Sequence, residues 1–299
     1  MTIVSRNVYL MRYCCKHHPI HMANTLLVPT DFSVNSKAGI RFALQLEKQA
    51  KYTLVFYHCI PYMKPTRWSD ARYDAYVKEE KEEAAKSLAR FIKDIYQTAG
   101  IKKSGIKCVI QQSPDTKTAI LDYALEIRAV AICMSTRGAG RLKKIIGTHA
   151  SGIINSSSFP VFIIPKNYRR APVTHILYSS DMNRIGPELK QVRNLASQLK
   201  ARISVFHYDY LAEVDETQKT LQKVAGRHQY PGVSFKFRKY NIDRSLAEHL
   251  TSDIRTSKAS LAVLFTNQKR GWFDKLFLSS KSIDVAFDTK IPLLIIPKG

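Results

Sequence analysis

The sequence predicts an α/β protein in which a mostly parallel sheet flanked by helices is built twice. Three observations carry this expectation. Short apolar runs alternate with amphipathic stretches along the chain, which is the signature of strand–helix–strand units. The second half of the chain echoes the first, with Asp181 standing 150 positions after Asp31, a period far longer than that of a solenoid repeat. A basic, glycine-containing loop with Gly138, Gly140 and Gly147 follows the fourth apolar run of the first copy, and the second copy has only Gly271 there.

Taken in order, Thr25 to Pro29 (TLLVP) reads as a strand and Thr30 to Ser33 as a turn. Asn35 to Ala50 has helical spacing through Ile40, Ala43, Leu44 and Leu46. Thr53 to His58 is a second strand. Asp70 to Ala99 is a long charged amphipathic helix, with Tyr76, Leu88, Phe91 and Ile95 among its apolar positions. Gly100 and Gly105 bracket the way to a third strand, Ile106 to Gln111, and Pro114 to Ile127 is helical. The run Ala129 to Met134 is short enough for a buried strand. A helix is expected from Thr148, a good N-cap residue, and Val161 to Ile164 is the last strand of the copy.

In the second copy HILYSSDM (from His175) echoes TLLVPTDF, RISVFHY (from Arg202) echoes TLVFYHC, LAVLFT (from Leu261) echoes VAICMST, and IPLLIIPK (from Ile291) echoes FPVFIIPK. The expected division is an extension over 1–22, a first domain over 23–166, a linker over 167–172 and a second domain over 173–298. Two similar domains are expected rather than one large sheet. Trp272, Phe273, Leu276 and Phe277 fill the region after the fourth strand of the second copy, most simply as an amphipathic helix face.

Composition narrows the function classes. The 299 residues suffice for about two domains. No stretch of roughly 18 apolar residues is present, so no membrane span is expected. Of the five cysteines, Cys59, Cys108 and Cys133 lie in apolar runs, where a reduced thiol is usual, and a cytoplasmic protein is expected. The net charge of +23 is large, but the Lys and Arg residues are spread along the chain without a nucleic-acid-binding motif. A solvated basic surface is preferred to a nucleic-acid face. Cys14, Cys15, His17, His18 and His21 are soft metal ligands, but their spacing fits no closed zinc pattern, and a tail or leader is the simpler reading.

A nucleotide site is the sharpest functional expectation. Asp31 lies just past the carboxyl end of the first strand, where open parallel sheets hold their ligands. A carboxylate there can accept from a ribose hydroxyl or an adenine amino group; the plainer alternative is a turn-forming Asp. Arg137, Arg141, Lys143 and Lys144 surround the glycine loop, and a helix N-terminus at Thr148 attracts phosphate. A solvated strand-to-helix connection is the plainer alternative here.

With these residues in view, the chain resembles the universal stress protein family in a tandem arrangement, over about 23–166 and 173–298. VPTDFS (from Val28) is similar to the family's first-strand signature. MSTRGAG…GTHAS is similar to its nucleotide loop, with Gly138 and the pair Gly147-Thr148 on pattern. Ser135 stands in place of the first glycine, and eight residues separate Gly138 from Gly147 where the family pattern has nine.

The resemblance implies Rossmann-like, adenine nucleotide alpha hydrolase-like domains, each with a five-stranded sheet. It implies ATP as the ligand, with Pro29, Thr30 and Asp31 on the adenosine and the backbone around Ile60 near the adenine. Met134, Ser135, Gly138, Gly147, Thr148 and His149 would line the ribose and phosphate side, with Gly140 inside the loop. It further implies an edge-to-edge contact through the last strands, made between the two halves of the chain or in a homodimer.

No Walker A sequence, G-x-S-x-G elbow or related nucleophile motif is present. His58 and His207 stand at strand ends as structural histidines. The expectation is therefore a stress-response regulator biased by a bound adenine nucleotide, with slow ATP hydrolysis left open. A nucleotide-free scaffold for a protein or other anionic partner is the alternative.

Overall fold

A computed structural model describes residues 24–136, 148–209, 215–239, 241, 243–244, 246–266 and 290–298. Ten strands appear among them: β1 Thr25–Pro29, β2 Thr53–Ile60, β3 Lys107–Gln112, β4 Ala131–Ser135, β5 Val161–Ile164, β6 His175–Ser179, β7 Arg202–Asp209, β8 Val233–Lys239, β9 Leu261–Thr266 and β10 Leu293–Pro297. The helices between them are α1 Ser36–Ala50, α2 Asp70–Thr98, α3 Thr116–Glu126, α4 Thr148–Ser156, α5 Ile185–Leu199, α6 Asp215–Gly226 and α7 Leu246–Ser257.

The strands lie in the order β3-β2-β1-β4-β5-β10-β9-β6-β7-β8. The second five repeat the first five in reverse order. Within each set every neighbouring pair is parallel. The junction is antiparallel, with Leu293 opposite Ile163 and Ile295 opposite Val161. This corrects the expectation of two sheets in place of one large one, because the hydrogen bonds run without a break through ten strands. The cause is plain in the two last strands. VFII and LLIIP are apolar on both faces and buried, and an apolar sheet edge is stable only when it is paired or covered.

Strands buried on both faces need apolar residues of both parities, and alternate residues serve opposite faces. Leu26, Val28, Leu54, Phe56, Phe162 and Ile164 join one core cluster with the buried faces of α1, α2 and α5. Leu27, Val55, Tyr57, Val161 and Ile163 join the other with α3, α4 and α7. In α1, Phe42 is fully buried and meets the rings of Phe162 and Tyr168 at 5.4 and 5.5 Å. The apolar stripe of α2 runs through Val77, Leu88, Ile92, Ile95 and Tyr96. Tyr76 and Phe91, read from the sequence as part of it, are half-buried at its margin. Asp115 caps α3 by accepting from the backbone N–H groups of Lys117 and Thr118, and so starts it two residues after Pro114.

The repeat extends to backbone details. Non-glycine residues with positive φ occur in pairs at corresponding turns: Phe32 and Met182, Lys51 and Lys200, Arg128 and Lys258. Such conformations are uncommon for these residue types. Gln49 fastens the halves together. Its side-chain amide donates to the carbonyls of Val173 (2.7 Å) and Leu199 (2.6 Å), and its carbonyl accepts from Val173 N–H (2.9 Å).

Candidate nucleotide site at the switch point

In each half the order of the strands reverses between the first and fourth, at β1/β4 and at β6/β9. Ligands of open α/β sheets bind outside the carboxyl ends of the strands at such a point. The register pairs Leu27 with Ile132, so two residues further on Pro29 lies beside Met134. This pairing puts Asp31 and the end of β4 on one edge of the sheet; the expected continuation of that edge into the loop after β4 lies outside the described residues.

Thr30 is buried and fully engaged. Its N–H donates to Tyr57 O (2.9 Å), its carbonyl faces His58 Nδ1 (2.8 Å), and its hydroxyl lies 2.9 Å from the Ser36 hydroxyl. The Thr30 hydroxyl also accepts from Phe32 N–H at 3.2 Å. Phe32, at φ 61°, packs its ring against His58 at 4.2 Å between centroids. These contacts hold the turn so that Asp31 remains exposed, with Oδ1 accepting from Ser33 N–H at 3.1 Å. His58 is thus a structural histidine of the turn, as its position at a strand end predicted.

Ser135 is buried, and its hydroxyl accepts from Gly39 N–H at 2.9 Å. Sequence reasoning missed Gly39. A Cβ there would lie 3.1 Å from Ser135 N and 3.2 Å from the Met134 carbonyl carbon. Any larger residue would force the end of β4 or α1 to give by a few tenths of an ångström, so glycine suits this close approach. Cys133 reinforces the contact, its thiol donating to Gly39 O at 3.4 Å. The serine that replaces the pattern's first glycine therefore clamps α1 to the strand end. A glycine inside a run of helical spacing was the available signal.

Pro29 is half-buried at the end of β1 and Met134 half-buried near the end of β4. Ile60 is buried at the end of β2, where its carbonyl accepts from the N–H groups of Tyr62 (3.0 Å) and Ser113 (3.1 Å). Thr148 begins α4 and His149 follows it. Gly138, Gly140 and Gly147 lie outside the described residues, as do the cysteine–histidine cluster of residues 14–21 and Trp272 to Phe277.

Burial pushes the thiols of Cys59, Cys108 and Cys133 up, Cys108 to about 11. They are protonated at neutral pH and poor nucleophiles. All three are free. No group of three or more metal-ligating side chains occurs among the described residues.

The second half repeats the turn. Ser180 N–H donates to Phe206 O (2.9 Å), His207 Nδ1 faces Ser180 O (2.9 Å), and Asp181 Oδ1 accepts from Asn183 N–H (3.0 Å). Here, however, Lys298 at the end of β10 reaches back to Asp181 Oδ2 at 2.6 Å. The same ammonium lies 3.4 Å from Glu188, a buried carboxylate whose other oxygen accepts from Tyr178 OH. Burial works against the charged form of Asp181, but the hydrogen bond and charge of Lys298 outweigh it and hold that carboxyl below its usual range. The Asp31 counterpart is thus neutralised from within the chain.

A comparison with known proteins now bears on this geometry. The model of the universal stress protein family matches residues 22–165. Over these residues the chain belongs to the universal stress protein family. A universal stress protein from Archaeoglobus fulgidus DSM 4304 is similar in fold across both halves: TM-score 0.65, 17% identity, covering 92% of this chain and 99% of that one. A functionally unknown protein from Pseudomonas aeruginosa PAO1 gives a TM-score of 0.55 at 15% identity, covering 92% of this chain and 93% of that one. At these identities the likeness is one of fold. No curated protein sequence matches the chain. Among the described residues no helix is long and apolar enough to cross a membrane.

Proposed function

We propose that this chain is a stress-response regulator that holds one adenine nucleotide, ATP, in the β1/β4 crevice of its first half. The observation that carries the reading is the exposed Asp31 carboxylate at the β1/β4 switch point, where Pro29 of β1 lies beside Met134 of β4. At the corresponding place in the second half, Asp181 is ion-paired to Lys298. Asp31 would accept from the adenosine, and Pro29 and the Ile60 region would flank the base. Met134, the clamped end of β4 at Ser135 and the start of α4 at Thr148 and His149 would face the ribose and phosphates. A helix start offers unpaired N–H groups to phosphate. The glycines Gly138, Gly140 and Gly147 would let the backbone come close to it.

The nucleotide would act as a ligand that favours one state, since only differential binding shifts an equilibrium. The two halves, paired through β5 and β10, would serve as an internal counterpart of a dimer. A cytoplasmic setting fits the free cysteines. Titration of ATP into the full chain tests the site. Asp31→Ala is expected to weaken binding roughly 10- to 100-fold, the worth of a hydrogen bond to a charged group. Asp181→Ala should leave the affinity unchanged. Equal effects of the two substitutions would refute the assignment.

A second reading, a nucleotide-free scaffold, is favoured by the inward turn of the Ser135 hydroxyl onto Gly39. Failure of the wild-type chain to bind ATP would establish that reading.

A further inference from the structure

A cavity of about 330 Å³ lies between α1, the end of α2 and the connection that joins the two halves. Lys37 and Arg41 enter it from α1, Asp94, Ile95 and Thr98 from α2, and Arg170 from the connection. Lys37 and Arg41 are four residues apart and so share one face of the helix. Lys37 rests over the Phe91 ring at 5.4 Å. The Arg170 guanidinium donates to Ala99 O at 3.2 Å, which fixes it at the end of α2 and occupies a carbonyl the helix leaves open.

None of these three cations forms an ion pair among the described residues. Three positive side chains against the Asp94 carboxylate leave two net charges in the lining. Like charges gathered around a concavity repel one another, and a bound anion relieves that repulsion. Arginine at two of the three positions suits a planar or tetrahedral oxyanion, which a guanidinium binds in bidentate fashion. The volume is at the low end for small-molecule sites.

From this geometry we infer that the open cavity between α1, α2 and the connection is a second ligand site, distinct from the nucleotide crevice, which takes a small phosphorylated molecule through one dianionic phosphate group. Lys37 and Arg41 grip the phosphate from one side and Arg170 from the other. The Asp94 carboxylate can accept from hydroxyl groups of the remainder, as can the Thr98 hydroxyl, whose own proton goes to Asp94 O at 2.8 Å. Because Arg170 belongs to the connection, the ligand would tie that segment to the first half.

The test is calorimetric titration of the full chain with inorganic pyrophosphate at an ionic strength of about 0.15 M, where long-range surface attraction is screened. Saturable binding is expected. It should weaken at least about 10-fold in Arg41→Gln and in Arg170→Gln, each checked for intact fold by circular dichroism. ATP affinity should be unchanged in Arg170→Gln, which separates this site from the nucleotide crevice. Lys78→Gln, which removes an exposed charge elsewhere on α2, should leave pyrophosphate binding unchanged. Absence of saturable binding, or equal weakening by Lys78→Gln, would overturn the inference.

Discussion

Replacing Lys298 by alanine removes the cation that serves two carboxylates, Asp181 just after β6 and Glu188 in the first turn of α5. The larger effect comes from Glu188. Its side chain is 5% exposed, its Oε1 accepts no hydrogen bond, and the Lys298 ammonium is 3.4 Å away. Unit charges at that distance attract by about 5 kcal/mol at an effective dielectric of 20, a gross figure offset by desolvation. Breaking a buried pair by removing one member costs about 3–5 kcal/mol, because the other charge is stranded. Lys298 retains 19% exposure, so water partly replaces it, and the lower end applies. Asp181 is 45% exposed and adds at most about 1 kcal/mol.

The expected loss is therefore about 3 kcal/mol, or roughly 6–12 °C in Tm for a chain of this size. Urea unfolding of the wild type, Lys298→Ala, Glu188→Gln and the double variant measures it. The double variant should be more stable than Lys298→Ala alone, since no charge is left stranded. A Lys298→Ala protein within about 0.5 kcal/mol of wild type would refute the reasoning.

Two further expectations concern packing and pH. Gly39→Val places side-chain carbon against the β4 backbone, where even a Cβ is at 3.1 Å. It should cost about 1–3 kcal/mol by overpacking, readable in urea, and should weaken any ligand held at the end of β4. His175 is buried, with Nε2 2.9 Å from the Ser204 hydroxyl and Nδ1 3.0 Å from Ser257 O. Burial, and then the nearby charge of Arg202, holds its pKa below the usual histidine value. The folded state thus keeps His175 neutral where the unfolded chain takes a proton. Its contribution is complete above the unfolded pKa near 6.5 and is lost as pH falls below it, by at most about 1.4 kcal/mol per pH unit. His175→Gln should show a shallower fall of stability between pH 7 and 5; an unchanged slope would exclude His175 as its source.

Much of the fold was legible because strand and helix periodicities are local. The bounds of β1, Thr25–Pro29, and β5, Val161–Ile164, are those read from the apolar runs. The echo between TLLVPTDF and HILYSSDM predicted a repeat that the structure carries down to the paired turns at Phe32 and Met182. What the sequence concealed depends on contacts between distant residues. Neither VFII nor LLIIP announces by its own pattern which strand will pair with it; a contact between the last strands was expected only from the family resemblance, and its antiparallel register was not legible. On α2, Phe91 looked like a core residue but lies at the margin, its ring meeting Phe32 at 5.8 Å. At the candidate site the position of Asp31 followed from the end of β1. The clamp of Ser135 on Gly39 spans 96 positions and that of Lys298 on Asp181 spans 117, distances over which no spacing rule operates.

The central claim is one adenine nucleotide in the first half and none in the second. Its most direct test is to purify the chain without added nucleotide, denature it, and identify and count what is released by chromatography and mass spectrometry, with ATP re-addition to any empty protein. The account predicts an adenine nucleotide at no more than one per chain, restored by added ATP and lost in Asp31→Ala. Two nucleotides per chain, or an empty protein that also refuses added ATP, would contradict it.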